Sequence, residues 1–318
     1  MSRILITGAS GFLGRSLLQR LINDRYQCTV AVRSSSDTFP TGVAVGKFHS
    51  FESSSESFEF LKNQDVVVHC AARVHVMNET AADPLVEFRK VNVMGTLNLA
   101  IAAAKNGVKR FIFISSIKVN GESTLPGHPF TADDVPAPCD PYGISKMEAE
   151  QGLRRLSEET GMEVVIIRPV LIYGPGVKSN FRSMMAWLVR GVPLPLGSIR
   201  NKRSLVSLEN LVDLIATCIN HPHAANQTFL VSDGEDVSTP ELLTRMAQAL
   251  DKSARLIPVP SSVLFYGAAL VGRSAVAHRL CGSLQVDIGK TCSLLQWKPP
   301  YGVDEALAKT ANDYMKGI

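Results

Sequence analysis

Among the 318 residues, no apolar stretch approaches the ~20 that a membrane-spanning helix needs. The longest, residues 263–271, is about half that length. It is read as a buried helix, ahead of a sticky surface helix at a partner or membrane. Cysteine is scarce and unpatterned: Cys28, Cys70, Cys139, Cys218, Cys281 and Cys292 show neither a disulfide frame nor zinc-ligand spacing, and are expected to be reduced, mostly buried thiols. His75, His128, His221 and His223 form no ligand pattern either, so no metal site is expected. Charge of one sign is also missing. Lys+Arg number 33 against 29 Asp+Glu, and a net +4 this scattered argues against nucleic acid as a partner. Charged residues make up only 19% and hydrophobic ones 45%, which excludes a disordered chain. Met1-Ser2-Arg3 runs straight into Ile4-Leu5-Ile6 without a small-residue cleavage site, so no signal peptide is expected and the predicted location is cytoplasmic.

What is present is alternation. Short β-branched runs at residues 4–7, 29–33, 43–48, 66–69, 109–114 and 164–168 are mostly separated by helix-length segments. That pattern predicts βαβ units on a parallel sheet. Helix starts are marked by Asp83-Pro84, Asp140-Pro141 and Thr239-Pro240, a capping side chain followed by proline, and Gly107 marks a stop. After about residue 170, Gly174-Pro175-Gly176 and the segment Gly191-Val192-Pro193 punctuate a more irregular region. The predicted fold class is α/β, a Rossmann-type doubly wound parallel sheet with a smaller C-terminal lobe. Residues 1–173 would form the dinucleotide-binding domain and 174–318 mainly the substrate-binding lobe, with a segment near 228–232 returning to the sheet.

The first predicted strand runs into Gly8-Ala9-Ser10-Gly11-Phe12-Leu13-Gly14. Between a strand and a helix, glycines at this spacing permit a tight turn, close approach of backbone to a pyrophosphate, and close helix–strand packing. The second strand ends Val32-Arg33-Ser34, with no acid to hold a ribose 2′-hydroxyl. Arg33 could pair with a 2′-phosphate and Ser34 add a hydrogen bond, which leans toward NADP(H) over NAD(H). A solvated arginine at a strand end is the competing reading.

Tyr142 and Lys146, four residues apart, share a helix face just inside the Asp140 cap. The helix dipole and the lysine ammonium would both lower the tyrosine pKa toward that of a working acid/base. Ser116, at the C-terminal end of a parallel strand, lies at the ligand edge of such a sheet and could bond the oxygen that Tyr142 titrates. In isolation each residue would pass for a surface or turn residue.

Together with His69-Cys70-Ala71-Ala72, Asn92-Val93-Met94-Gly95-Thr96, Arg168-Pro169, Tyr173-Gly174-Pro175-Gly176, Arg203-Ser204-Leu205-Val206, Asp213-Leu214 and the set Asp287, Lys290, Trp297 and Pro299, these motifs resemble the extended short-chain dehydrogenases/reductases of nucleotide sugars along nearly the whole chain. In order and spacing they are most similar to UDP-hexose 4-epimerases and their 4-ketoreductase cousins. The resemblance implies Ser116, Tyr142 and Lys146 as catalytic residues. It puts the glycine turn (Gly8, Ser10, Gly11, Phe12, Leu13, Gly14), Ala71, Ala72, Asn92 and Ser115 along the cofactor. Asn180 and Arg203 would hold a UDP diphosphate, with Arg279 near a second arginine position. It further implies a homodimer through the helices starting near Pro84 and Pro141.

Three departures matter. Sugar dehydratases of this family place Asp-Glu after the catalytic hydroxyl, where this chain has Ile117 and Lys118. Asn120 stands in place of the tyrosine usual in the epimerase motif, and Lys47 near an acid that often contacts adenine. The leading expectation is a 4-ketoreductase of a UDP-4-keto-6-deoxy amino sugar in surface-polysaccharide precursor synthesis. The runner-up, using the same residues, is a UDP-glucose or UDP-GlcNAc 4-epimerase. A steroid- or flavonoid-type reductase and a non-catalytic dinucleotide-binding regulator are further alternatives.

Overall fold

The computed structural model describes residues 2–33, 38–53, 58–74, 83–270, 272 and 274–317. Its strands, in chain order, are β1 Arg3–Thr7, β2 Gln27–Val32, β3 Ala44–Lys47, β4 Val66–His69, β5 Arg110–Ile114, β6 Glu163–Pro169, β7 Leu171–Tyr173, β8 Arg203–Ser207, β9 Thr228–Val231 and β10 Asp236–Val237. Its helices are α1 Phe12–Asn23, α2 Pro84–Phe88, α3 Thr96–Lys105, α4 Pro141–Thr160, α5 Ser179–Val189, α6 Leu208–Asn220, α7 Thr239–Ala249, α8 Ser261–Leu270, α9 Ser274–Cys281, α10 Gly289–Leu295 and α11 Val303–Lys316.

Seven strands pair in the order β3-β2-β1-β4-β5-β6-β9, every neighbour parallel. The six early strands expected from the sequence all lie in this sheet. The residue 228–232 segment returns as β9 on the edge of β6. Because both faces of a parallel sheet are covered by helices, alternate residues of one strand enter different cores. Ile4 and Ile6 pack with Leu17 and Leu21 of α1 and Leu211 and Leu214 of α6. Leu5 enters the opposite cluster with Leu99 and Ala103 of α3 and Leu153 of α4. A third cluster, built from Tyr173 onward, joins α5, α7 and α11 beside the small sheet β10-β8-β7.

The chain leaves β1 for β2 in one direction and later crosses to β4 in the other. The crevice above β1 and β4 is therefore the switch point at which such sheets bind ligands.

Three expectations need correcting. The helix over residues 239–249 is capped by Ser238, in a reciprocal box with Glu241 (3.2 and 2.7 Å), because Thr239 turns inward to donate to the Leu280 carbonyl (2.6 Å). Within residues 263–271, Val263 to Leu270 belong to α8, none of whose residues is buried, and Val271 lies outside the described residues. All six cysteines are free, but only Cys28 and Cys218 are buried; Cys70, Cys281 and Cys292 are half-buried and Cys139 is exposed.

Candidate active site

β1 opens directly into the glycine turn, where Gly8 has φ +69°. A Cβ on Gly8 would lie 2.8 Å from the Ala71 nitrogen, and one on Gly14 only 2.2 Å from the Gly8 carbonyl oxygen. Both positions therefore require glycine for packing, the first against the strand-exit residues Cys70 and Ala71. Ser10 and Gly11 are exposed, and Phe12 and Leu13 half-buried. Gly11 caps α1 without a side-chain hydrogen bond, and the first turn carries no acid. This leaves a helix N-terminus with its positive dipole end uncompensated, which fits the pyrophosphate of a dinucleotide. Arg33 is exposed just past β2, while Ser34 lies outside the described residues.

Below the turn, buried His69 ties β4 to its neighbours, its Nδ1 2.7 Å from Thr7 Oγ1 and its Nε2 3.1 Å from Thr96 Oγ1. Burial, aided by the Lys146 charge, lowers its pKa to about 3, so it stays neutral. The backbone swells into a π-helical turn over Arg89–Gly95 between α2 and α3. Within that turn sits Asn92, 1% exposed: its Oδ1 accepts from the Arg73 backbone N–H (2.9 Å), and its Nδ2 donates to the Arg73 carbonyl and to Ser145 Oγ (both 3.0 Å). Its side chain thus positions the chain after β4 against α4.

Asp140 caps α4 through the Gly143 N–H (2.6 Å), with Pro141 behind it. Tyr142, half-buried in the first turn, rests edge-on against Phe88 at 5.9 Å and is hydrogen-bonded to Ser116. Ser116 caps the short 3₁₀ turn Ile117–Val119, accepting from the Lys118 N–H at 3.2 Å. Lys146 is buried one turn on. Its Nζ donates to the Ile114 carbonyl (2.8 Å) and lies 4.4 Å from the Phe113 ring centre and 6.0 Å from that of Tyr142.

The three catalytic candidates therefore converge, but the electrostatics differ from expectation. Burial, and then the Asp140 carboxylate, raise the Tyr142 pKa, opposed only by the Ser116 hydrogen bond. Lys146 is itself lowered to about 7 by burial, with Glu150 and Cys70 pulling the other way. An ammonium aimed at a carbonyl and half-deprotonated at neutral pH is a weak perturbant of the tyrosine.

Beneath Lys146 lies a network centred on an acid, Glu150, that none of the motifs contains. Glu150, 2% exposed, accepts from Ser115 Oγ (2.6 Å) and is clamped by Arg168 through Nε (2.9 Å) and Nη2 (2.6 Å). Arg168 Nη1 continues to Asn120 Oδ1 (2.9 Å), and Asn120 Nδ2 to the Thr131 carbonyl (2.8 Å). Asn120 thus holds a buried structural junction. Lys118 pairs with Asp140 and, at 3.3 Å, with Glu122. The available signal for Glu150 was its spacing: four residues past Lys146, an acid on the same helix face.

Of the substrate candidates, Asn180 is exposed in the first turn of α5 and Arg279 is exposed on α9. Arg203 is half-buried, its Nη1 donating to the Arg279 (2.8 Å) and Gly282 (3.2 Å) carbonyls. In the late set, Trp297 Nε1 donates to Asp213 (2.9 Å) and Lys290 pairs with Asp133 (2.6 Å), both structural ties.

Residues 4–232 match the model of the NAD dependent epimerase/dehydratase family. A UDP-glucose 4-epimerase of Vibrio cholerae is 52% identical over 318 residues, covering 98% of this chain and 95% of that protein. The N-acetyl-alpha-D-glucosaminyl-diphospho-ditrans,octacis-undecaprenol 4-epimerase of Escherichia coli O157:H7 is 27% identical, covering 96% and 93%. Among solved structures, the Thermotoga maritima UDP-glucose 4-epimerase with UDP-glucose superposes with a TM-score of 0.77 at 22% identity, covering 99% of each chain, a likeness of fold. With its glycine turn at the switch point and its Ser, Tyr and Lys gathered beside it, the chain belongs to the NAD dependent epimerase/dehydratase family, within the extended short-chain dehydrogenase/reductase enzymes of nucleotide sugars.

Proposed function

We propose that the protein is a UDP-hexose 4-epimerase that works by reversible oxidation at C4. The observation that carries this choice is the 52% identity to the Vibrio cholerae UDP-glucose 4-epimerase along essentially the whole chain. It moves the balance away from net 4-ketoreduction, the leading expectation from sequence. Bound at the glycine turn, a nicotinamide dinucleotide would accept and return hydride. The chain's own residues handle the proton. As the phenolate, Tyr142 accepts it from O4 and later returns it, while Ser116 donates a hydrogen bond to that oxygen as negative charge builds. The buried Lys146, held by its hydrogen bond to the Ile114 carbonyl, supplies a second proton-binding group that can take up the phenol's proton.

Asn180, Arg203 and Arg279 are the proposed diphosphate contacts, and residues 174–318 mainly the substrate-binding lobe. A homodimer through α2, α3 and α4 is supported by Val86, Met94 and Ile101, which are 42%, 51% and 40% exposed along one stripe. Net reduction remains the second reading. It is favoured by one feature, the exposed Arg33 where an acid would bind a ribose hydroxyl, because a preference for NADP(H) suits a reductant exchanged at every turnover. Incubating the purified protein with UDP-GlcNAc or UDP-glucose and no added cofactor distinguishes them. Conversion to the 4-epimer, abolished in Tyr142→Phe, is the expected result; turnover of a 4-keto sugar only with added NADPH would overturn the epimerase.

A further inference from the structure

We propose that the outer face of α8, with the segment leading into it, docks on an anionic lipid surface. Val263, Tyr266, Gly267 and Leu270 fall at i, i+3, i+4 and i+7, the spacing of a single helix face. In most helices that face is buried. Here it points outward, with Val263, Tyr266 and Leu270 56%, 77% and 88% exposed. Ile257 before the helix (48%) and Val276 on α9 (45%) are exposed as well. The inner side is held by Leu264 against the third core cluster and by Phe265, whose ring lies 5.0 Å from that of His278. The helix is therefore seated on the protein with its apolar side free. An apolar helix face this exposed marks a surface that something covers.

Charge identifies the occupant. From residue 252 to 286 the sequence has no Asp or Glu, yet it carries Lys252, Arg255, Arg273 and Arg279. Lys252 and Arg255 are exposed just ahead of the apolar stripe. A second copy of this chain meeting the face about a two-fold axis would set these cations against their own kind, with no acid in the segment to pair them. An anionic bilayer meets both demands: apolar and aromatic side chains enter the headgroup boundary while flanking cations meet lipid phosphates. At ten residues, α8 is far too short to cross, as an interfacial helix would be. The carbonyls of Arg279, Leu280 and Gly282 at the end of α9 accept from Arg203 and Asn201, so the docked hairpin is joined to the segment of the candidate diphosphate arginine.

The test uses the full chain and sedimentation with large vesicles, either phosphatidylcholine alone or an equal mixture with phosphatidylglycerol. Partition onto the mixed vesicles is expected to be roughly tenfold stronger, and to weaken as salt is raised. Tyr266→Glu with Leu270→Glu is expected to lower it by about tenfold, with the melting temperature and vesicle-free turnover unchanged. Lys252→Glu with Arg255→Glu, which leaves the stripe intact, is expected to remove the preference for anionic lipid. Protein that stays in the supernatant with both vesicle types, or a Tyr266/Leu270 variant that sediments like the parent, overturns the proposal. So does a change of solution mass in that variant, which would mean a second copy covers the face. The readout requires no turnover, so its failure is separate from failure of the proposed epimerase.

Discussion

Lys146 is buried beneath the candidate site with its pKa lowered to about 7, and that burial has a measurable cost. In the unfolded chain the same group titrates near ~10.4. Between those values the unfolded state holds a proton that the folded state has released. The contribution of this lysine to stability must then rise with pH across the window, by up to about 1.36 kcal/mol per pH unit. The thiols Cys28, Cys70 and Cys218, whose pKa burial raises, follow the opposite trend, which parent and variant share. From pH 7.5 to 9 the gain from Lys146 is about 2 kcal/mol, or a melting temperature higher by roughly 3 °C for a chain of this length. Lys146→Met removes the titration. The parent is therefore expected to gain on the variant over this range, and the variant to be at least as stable as the parent at pH 7.5 though inactive. Tyr142, whose pKa is raised in the fold, loses stability only above about pH 10, and does so in both proteins. Urea denaturation at three pH values measures the difference. Parallel stability curves for the two proteins would refute the claim that burial, and not the Ile114 hydrogen bond, dominates the energetics of this lysine.

Asp140→Asn keeps the helix cap, since Asn and Asp cap about equally, but removes the carboxylate that raises Tyr142. The acidic limb of the kcat/KM profile, which reports the base, should shift to lower pH, and an unmoved limb would show that burial alone sets the phenol. Gly14→Ala drives a Cβ to 2.2 Å from the Gly8 carbonyl oxygen; calorimetry should show dinucleotide affinity down by tenfold or more, roughly the loss of one good contact. Undiminished binding would contradict the packing argument. Arg168→Met strands the Glu150 carboxylate in the interior and should cost about 3–5 kcal/mol, with Glu150→Gln recovering part of it. A single variant as stable as the parent would refute the claim that this buried pair has to stay matched.

The sheet was legible because its strands are short apolar runs bounded by polar turns, and all six early ones form where that pattern puts them. The Ser116, Tyr142 and Lys146 set was legible because helix spacing and strand-end position are fixed by local geometry. What sequence could not supply was environment. The expected lowering of the tyrosine pKa assumed a solvated ammonium nearby, whereas burial of both groups and the Asp140 charge reverse its direction. Glu150 and Arg168 are 18 residues apart, and only the pairing of β5 with β6 places Arg168 under α4. The outward face of α8 was misread because its spacing is that of any core helix. Periodicity reports that a face is apolar, not what lies against it.

The parallel pairing of β6 with β9 has a consequence during synthesis. Until β9 emerges, the growing chain presents β6 as a bare, strongly apolar sheet edge, open to pairing with any extended segment nearby. The missing strand arrives roughly sixty residues later, a delay of about 3–12 seconds at about 5–20 residues per second. Ribosome pausing or chain release within that interval would leave a fragment that holds its dinucleotide cradle yet is prone to clump, so the last sheet strand acts as the seal on the nascent enzyme.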